Sequence, residues 1–278
     1  MLRLLNIEFQ KLRHNRSARI LITLYFGILV FASVMSSIEF TLFGNDILVA
    51  DFGVFNFPYI WHYNTYIAAI AKLFLAVVIV SMVANEYSNK TLKQNLIDGL
   101  SKREFVLSKF YMILVFAGVS TLLVFVSTLI LGYSWSTYTA TDIVFQDLEF
   151  VGAYFLKLVT FFSFCLFVAM LIKRSAFSLG FILLWQIIEL IVLGLVSYSS
   201  GDKELAVQIH DFFPLEAMSS LIVNPGPRLS AIKETIELAS QNSFEYDYAV
   251  PMQSVILCIV YTALFIVGTH WLLRRRDL

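Results

Sequence analysis

From Ile20 to Ile38 the chain runs nineteen residues without a charged side chain, and five further stretches of similar length carry at most one each. A membrane-spanning helix needs about 20 predominantly apolar residues. Runs near 19–38, 64–85, 109–133, 151–172, 175–198 and 251–273 meet that requirement. The chain is 59% hydrophobic and 14% charged, whereas soluble domains carry about 25% charge. A water-soluble globular enzyme could not cover so much apolar surface. Disordered chains, disulfide scaffolds and nucleic-acid binders are excluded as well, because polar bias is absent, cysteines are only Cys165 and Cys258, and 20 basic residues balance 20 acidic ones. The first run exceeds the roughly 7 to 15 residues of a signal-peptide core and lacks a small-residue cleavage site, so it is expected to be a retained span.

Six spans place both termini on one side, and the charges say which. Fifteen of the 20 basic residues lie before span 1, between spans 2 and 3, at Lys173 and Arg174 between spans 4 and 5, or after span 6. The opposite side holds Lys203, Arg228 and Lys233, with 14 of the 20 acidic residues. Under the positive-inside rule both termini are cytoplasmic in a multi-pass protein of the plasma or inner membrane. By helical rise Cys165 lies roughly 12 Å above Lys173 and Cys258 roughly 24 Å above Arg274, too far apart in depth for a disulfide.

The longest cytoplasmic connection, 86–104, reads as more than a loop. Leu92 and Leu96 stand at i, i+4 within Lys90 to Asp98, and Gly99 follows as a stop. Ser101-Lys102-Arg103-Glu104 is an S-x-x-E capping box before the apolar run that begins at Phe105. This predicts a short helix, about nine residues or 13 Å long, offering Lys90, Lys93, Gln94 and Asp98 to solvent or to a soluble partner. In the N-terminal segment Leu2, Leu5, Phe9 and Leu12 form an imperfect apolar stripe beside Arg3, Asn6, Gln10 and Arg13. A helix of that kind lies in the inner membrane interface.

Lys72, Lys157 and Glu189 interrupt the spans. Counted from Glu86, Lys173 and Arg174, they share one layer about 21 to 24 Å up. Glu189 is expected to pair with Lys72 or Lys157, the alternative being lysines that snorkel outward. Leu215, Met218 and Ile222 form one helical stripe in the outer segment 199–250, and Leu229, Ile232 and Ile236 a second, with Pro251 opening span 6. Trp61, His62 and Tyr63 read as an interfacial aromatic belt. His14, His210 and His270 lack partners at ligand spacing, so no metal site is expected. Nor is a catalytic one, for want of a nucleophile and base pair.

These pieces resemble the six-span permease subunit of type-2 ABC exporters. Ile7-Glu8-Phe9-Gln10-Lys11-Leu12-Arg13 is similar to that family's interfacial elbow. Glu86-Tyr87-Ser88-Asn89-Lys90-Thr91-Leu92-Lys93-Gln94-Asn95-Leu96 followed by Gly99, Ser101, Arg103, Glu104, Phe105 and Lys109 resembles the E-x4-T-x2-Q stretch and the G-x-S-x-R-E-F run of its intracellular loop. The terminal Arg275-Arg276-Asp277-Leu278 is a common ending there. The resemblance implies one all-α transmembrane domain over 1–278: an elbow helix at 1–17, six spans, a coupling helix between spans 2 and 3, and short outer helices between spans 5 and 6. It implies that Glu86, Thr91, Leu92, Lys93, Gln94, Leu96, Gly99, Arg103 and Glu104 couple to a cytosolic ATPase dimer, with Lys173 and Arg174 as a lesser contact. A second permease subunit, identical or not, would complete the pathway. The chain lacks a G-x-x-x-x-G-K-[ST] loop, so ATP and Mg would belong to the ATPase and this chain would bind no cofactor. The many aromatic and branched aliphatic residues favour a hydrophobic or amphiphilic cargo such as a lipid, peptide or antibiotic. An ion-coupled secondary transporter using Glu189 is the alternative; it would need broken helices in matching halves.

Overall fold

The computed structural model describes residues 2–35, 39–42, 45–48, 54–228 and 248–275. Among these residues the fold is all-helical apart from one short hairpin of β1 (Glu39–Leu42) and β2 (Asn45–Leu48). Helix α1 (Leu2–His14) and helix α2 (Arg16–Met35) are separated by Asn15 alone. The Asn15 side-chain oxygen accepts the Ala18 N–H at 3.2 Å and so caps the start of α2.

Helices α3 (Ile60–Ile70) and α4 (Lys72–Ser88) form a pair bent by 42° where the sequence predicts an unbroken span over 64–85. At the break the Ala71 and Phe74 amides reach back only three residues, to Ala68 and Ala71, at 3.1 Å each. This tightened turn redirects the helix without proline. Then follow α5 (Thr91–Ile97), α6 (Lys102–Trp135), α7 (Thr141–Val144), α8 (Glu149–Ile172), α9 (Ser175–Ser200), α10 (Lys203–His210), α11 (Pro214–Ser219) and α12 (Met252–Arg274). Four helical stretches, α6, α7 with α8, α9 and α12, are long and apolar enough to cross a membrane, and the bent α3 and α4 pair makes a fifth. At 34 residues α6 is about 51 Å long, well beyond the hydrocarbon core.

Helix α8 is the centre of the bundle. Of its apolar stretch 72% is buried, against 11% for α9 and for α12, because α8 is apolar nearly all round, Lys157 aside, and packs against α3, α4, α6, α9 and α12. A Cβ on Gly268 would fall 2.9 Å from the Phe167 ring, so the missing side chain lets α12 lie close on α8. Polar links tie the other helices in: the Tyr25 and Tyr154 hydroxyls meet at 3.2 Å, Asn64 donates to Thr128 at 2.5 Å, and Thr262 and Thr160 meet at 3.0 Å. Cys165 and Cys258 are buried free thiols.

The bundle has two distinct ends. At one, Lys11 contacts Glu86, Lys102 reaches the Arg274 carbonyl and Lys173 lies over the Tyr87 ring. The segments carrying the basic excess therefore meet there. At the other, Trp61 donates to the Val144 carbonyl at 2.7 Å, and His62 bonds the Val223 carbonyl at 2.8 Å while stacking on Phe150 at 4.1 Å. Tyr63 donates to the Pro225 carbonyl at 3.0 Å, and Arg228 pairs with Asp147 at 3.1 Å. Trp61, His62 and Tyr63 are thus not a lipid-facing belt. They are buried, and their polar tips bind the carbonyls of the segments that cover them. The stripe Leu215, Met218, Ile222 is buried on and just after α11 as its spacing predicts. The second outer stripe, Leu229, Ile232 and Ile236, lies outside the described residues.

Candidate functional site

Helix α5 stands between α4 and α6 at the basic end and is fixed at both of its own ends. Lys90, with φ 56°, turns the chain out of α4. Gly99, with φ 94°, ends α5, its amide bonding Leu96 O at 3.2 Å while the Leu100 amide reaches Asn95 O at 3.0 Å. That pair of bonds is a Schellman motif, which requires a positive φ that glycine adopts freely. Ser101 then caps α6: its hydroxyl accepts the Glu104 amide at 3.1 Å, and the Glu104 carboxylate accepts the Ser101 amide at 2.9 Å.

Between these stops Leu92 is buried and Leu96 packs against the core, while Thr91, Lys93, Gln94 and Ile97 face out. Ile97 is 72% exposed. The helix is shorter than predicted, seven residues rather than nine, since Lys90 and Asp98 serve as its caps. Arg103, Lys173 and Arg174 are exposed near this end, and the turn between α8 and α9 is as tight as the sequence suggests.

Beneath α5 lies a group that sequence reasoning did not assemble. Lys109 Nζ is 2.5 Å from Glu8 Oε2 and also contacts Glu86 Oε1. Lys11 reaches Glu86 at 2.9 Å and Glu8 at 3.4 Å. The Ser108 hydroxyl lies 3.2 Å from Glu8 Oε1. Lys109, Glu8 and Glu86 are almost wholly buried, and with Lys11, whose side chain is 33% exposed, two carboxylates balance two ammonium groups. They join α1, the end of α4 and the start of α6, the latter two being the helices that hold α5. Burial alone would raise the Glu8 carboxyl, but the ammonium groups of Lys109 and Lys11 outweigh it and hold Glu8 below its ordinary value of 4.5. Glu86 Oε2 has no hydrogen-bond partner among the described residues. Glu86 and Thr91, the first residue of α5, line one cavity of about 370 Å³.

This cluster also corrects the expected face of α1. Leu12 and Glu8 are buried with Leu5 partly so, whereas Phe9 is 46% exposed. The inward face is therefore Leu5, Glu8, Leu12, at i, i+3, i+7, because Lys109 draws the carboxylate inward. The available signal was one acid in a basic segment, spaced with leucines, together with one lysine at the head of an apolar run.

Within the membrane layer the expected ion pair does not form. Glu189 is buried, accepts the Trp185 indole N–H at 2.7 Å, and accepts the Leu215 and Glu216 amides at 3.2 Å each. It satisfies amides at the first turn of α11 that would otherwise lack acceptors. Lys72 and Lys157 instead line a common cavity, Lys72 over the Phe161 ring at 4.5 Å and Lys157 3.4 Å from the Ser219 carbonyl. No group of metal-binding side chains is found among the described residues.

A family model described as ABC-2 family transporter protein matches residues 4–189, which include most of α1, all of α5, the ion cluster and the membrane layer. No curated protein matches the chain.

Proposed function

This chain belongs to the ABC-2 family of transporter proteins, and on that premise we propose that it is the membrane subunit of an ATP-driven exporter. Such permeases are multi-pass membrane proteins, generally non-catalytic, that work with a separate ABC ATPase. In this reading α2 is the first of six spans, α1 is the elbow, and both termini are cytoplasmic in the plasma or inner membrane. Two permease subunits, identical or not, form the pathway. Two ATPase subunits that bind ATP and Mg dock below, with α5 as the coupling helix seated on them and Lys173 and Arg174 as a lesser contact. The cargo is hydrophobic or amphiphilic.

The observation that carries the reading is α5 itself. A connection has no need of two terminal motifs, a buried Leu92 anchor and an isoleucine left 72% exposed beside Lys93 and Gln94. An apolar side chain projecting from a rigid, polar-rimmed helix suits burial by a partner. Force applied to α5 would pass into α4 and α6 together, because the cluster of Glu8, Lys11, Glu86 and Lys109 ties both to α1, and the helices would shift as a packed unit. The secondary-transporter alternative is less favoured. Glu189, its coupling residue, is occupied by three donors, and the bend between α3 and α4 is not matched by a second bent pair among the described residues.

The test is contact. With Gln94 replaced by a photo-crosslinking residue, illumination should attach the chain to a cytosolic ABC ATPase subunit, and nucleotide should change the yield. Export that continues in cells while no ATPase is labelled from Gln94 or Lys93 would overturn the assignment of α5.

A further inference from the structure

The cavity shared by Lys72 and Lys157 has an unusual composition for its depth. It measures about 350 Å³, the lower range of ligand pockets. Lys157 is only 5% exposed. Ion pairs among the described residues involve Glu8, Lys11, Lys109, Glu86, His210, Glu216, Arg228 and Asp147, and none includes Lys72 or Lys157. Lys72 rests on the Phe161 ring, one turn beyond Lys157 on α8, so both ammonium groups address one face of α8. Glu189, the acid at this level, is turned away to Trp185 and α11. A buried and a half-buried cation that share a cavity lined by no carboxylate among the described residues are costly in a membrane protein, and an anion bound in the cavity would offset that cost.

The rim says what kind of molecule brings it. Ile70, Leu73 and Leu183 line the same cavity and are 65%, 46% and 60% exposed, so the opening is apolar and lies on an uncovered side of the bent α3 and α4 pair and α9. Gln186 adds a polar amide to the lining. We infer that this cavity binds an anionic amphiphile drawn from the bilayer, its negative headgroup between Lys72 and Lys157 and its chain across Ile70, Leu73 and Leu183. The bend at Ala71 makes the site, since it sets Lys72 at the start of α4, where the helix changes direction. The inference stands on the cavity's own groups and does not depend on how transport is driven.

Native mass spectrometry of the purified protein, titrated with dioleoylphosphatidylglycerol or dioleoylphosphatidylcholine, tests it. One molecule of the anionic lipid should bind about tenfold more tightly than the zwitterionic one, a preference that charge-assisted contacts can supply. K72Q/K157Q should abolish that preference and K72R/K157R should keep it. Should the glutamine variant fail gel filtration, K72M/K157M serves in its place. Glycerol 1-phosphate, the headgroup anion without chains, should not compete. An undiminished preference in the neutralised variants would overturn the site, and full competition by glycerol 1-phosphate would overturn the amphiphile.

Discussion

Lys109 on the sixth helix places its ammonium 2.5 Å from the carboxylate of Glu8 on the first, 101 residues earlier in the chain. Both side chains are at most 3% exposed, so the pair is a fixed joint rather than a surface contact. Breaking a buried pair from one side leaves an uncompensated charge and costs about 3 to 5 kcal/mol. Lys109→Met, which strands both Glu8 and Glu86, should lose that much in detergent unfolding. Lys11→Ala, whose side chain is 33% exposed, should lose at most about 1 kcal/mol. Equal losses would contradict the joint.

The same joint sets an acid limit. Glu8 is held below its ordinary value of 4.5, so its contribution is complete above 4.5 and disappears as the pH falls through its lower folded-state value. Unfolding midpoints of the natural protein and of Glu8→Gln, compared between pH 7 and pH 3, should differ by a constant amount above pH 4.5 and converge below it. A gap that widens toward low pH would show that Glu8 is not held in its charged form.

The glycine stop of α5 and the serine cap that opens α6 should each answer to mutation. Ser101→Ala removes the capping box at a cost of about 1 kcal/mol. Gly99→Ala forces a Cβ into φ 94°, costing about 1 to 3 kcal/mol. Hydrogen exchange at 91–100 should rise in both variants while α8 stays protected. Unchanged exchange would mean that α5 is held by other contacts.

Glu189 is expected to act as an acceptor for α11. Glu189→Ala leaves the Trp185 indole and two amides unsatisfied, at about 1 to 3 kcal/mol for a buried donor, and should expose α11 to protease. Lys72→Gln should leave α11 protected. If it releases α11 as Glu189→Ala does, the three donors around Glu189 do not define its role.

How much of this was legible in the residues follows from distance along the chain. Gly99, the Ser101 to Glu104 box and the Lys173 and Arg174 turn are local, and each appears where its spacing placed it. Glu8 with Lys109, and Glu189 with the α11 amides, join residues 101 and 26 or more positions apart. Shared depth suggested a pair between Glu189 and a lysine, but depth fixes only one coordinate, and backbone amides never enter a charge count. The apparent belt at Trp61 failed for a related reason. An aromatic cluster at a span end reads the same whether lipid covers it or a returning loop does. The bend at Ala71 has neither glycine nor proline to announce it.

The most direct test of the coupling role is Ile97→Asp, measured as retention of the ABC ATPase and as ATP-driven export, alongside the melting of the permease alone. Ile97 is already exposed, so the melting midpoint should stay within about 2 °C of the natural protein, as expected for a surface change. ATPase retention and export should fall together by at least about tenfold, as expected for a charge placed in an apolar contact. Full retention and full export in the Ile97→Asp variant would contradict the account that α5 is where the ATPase engages this chain.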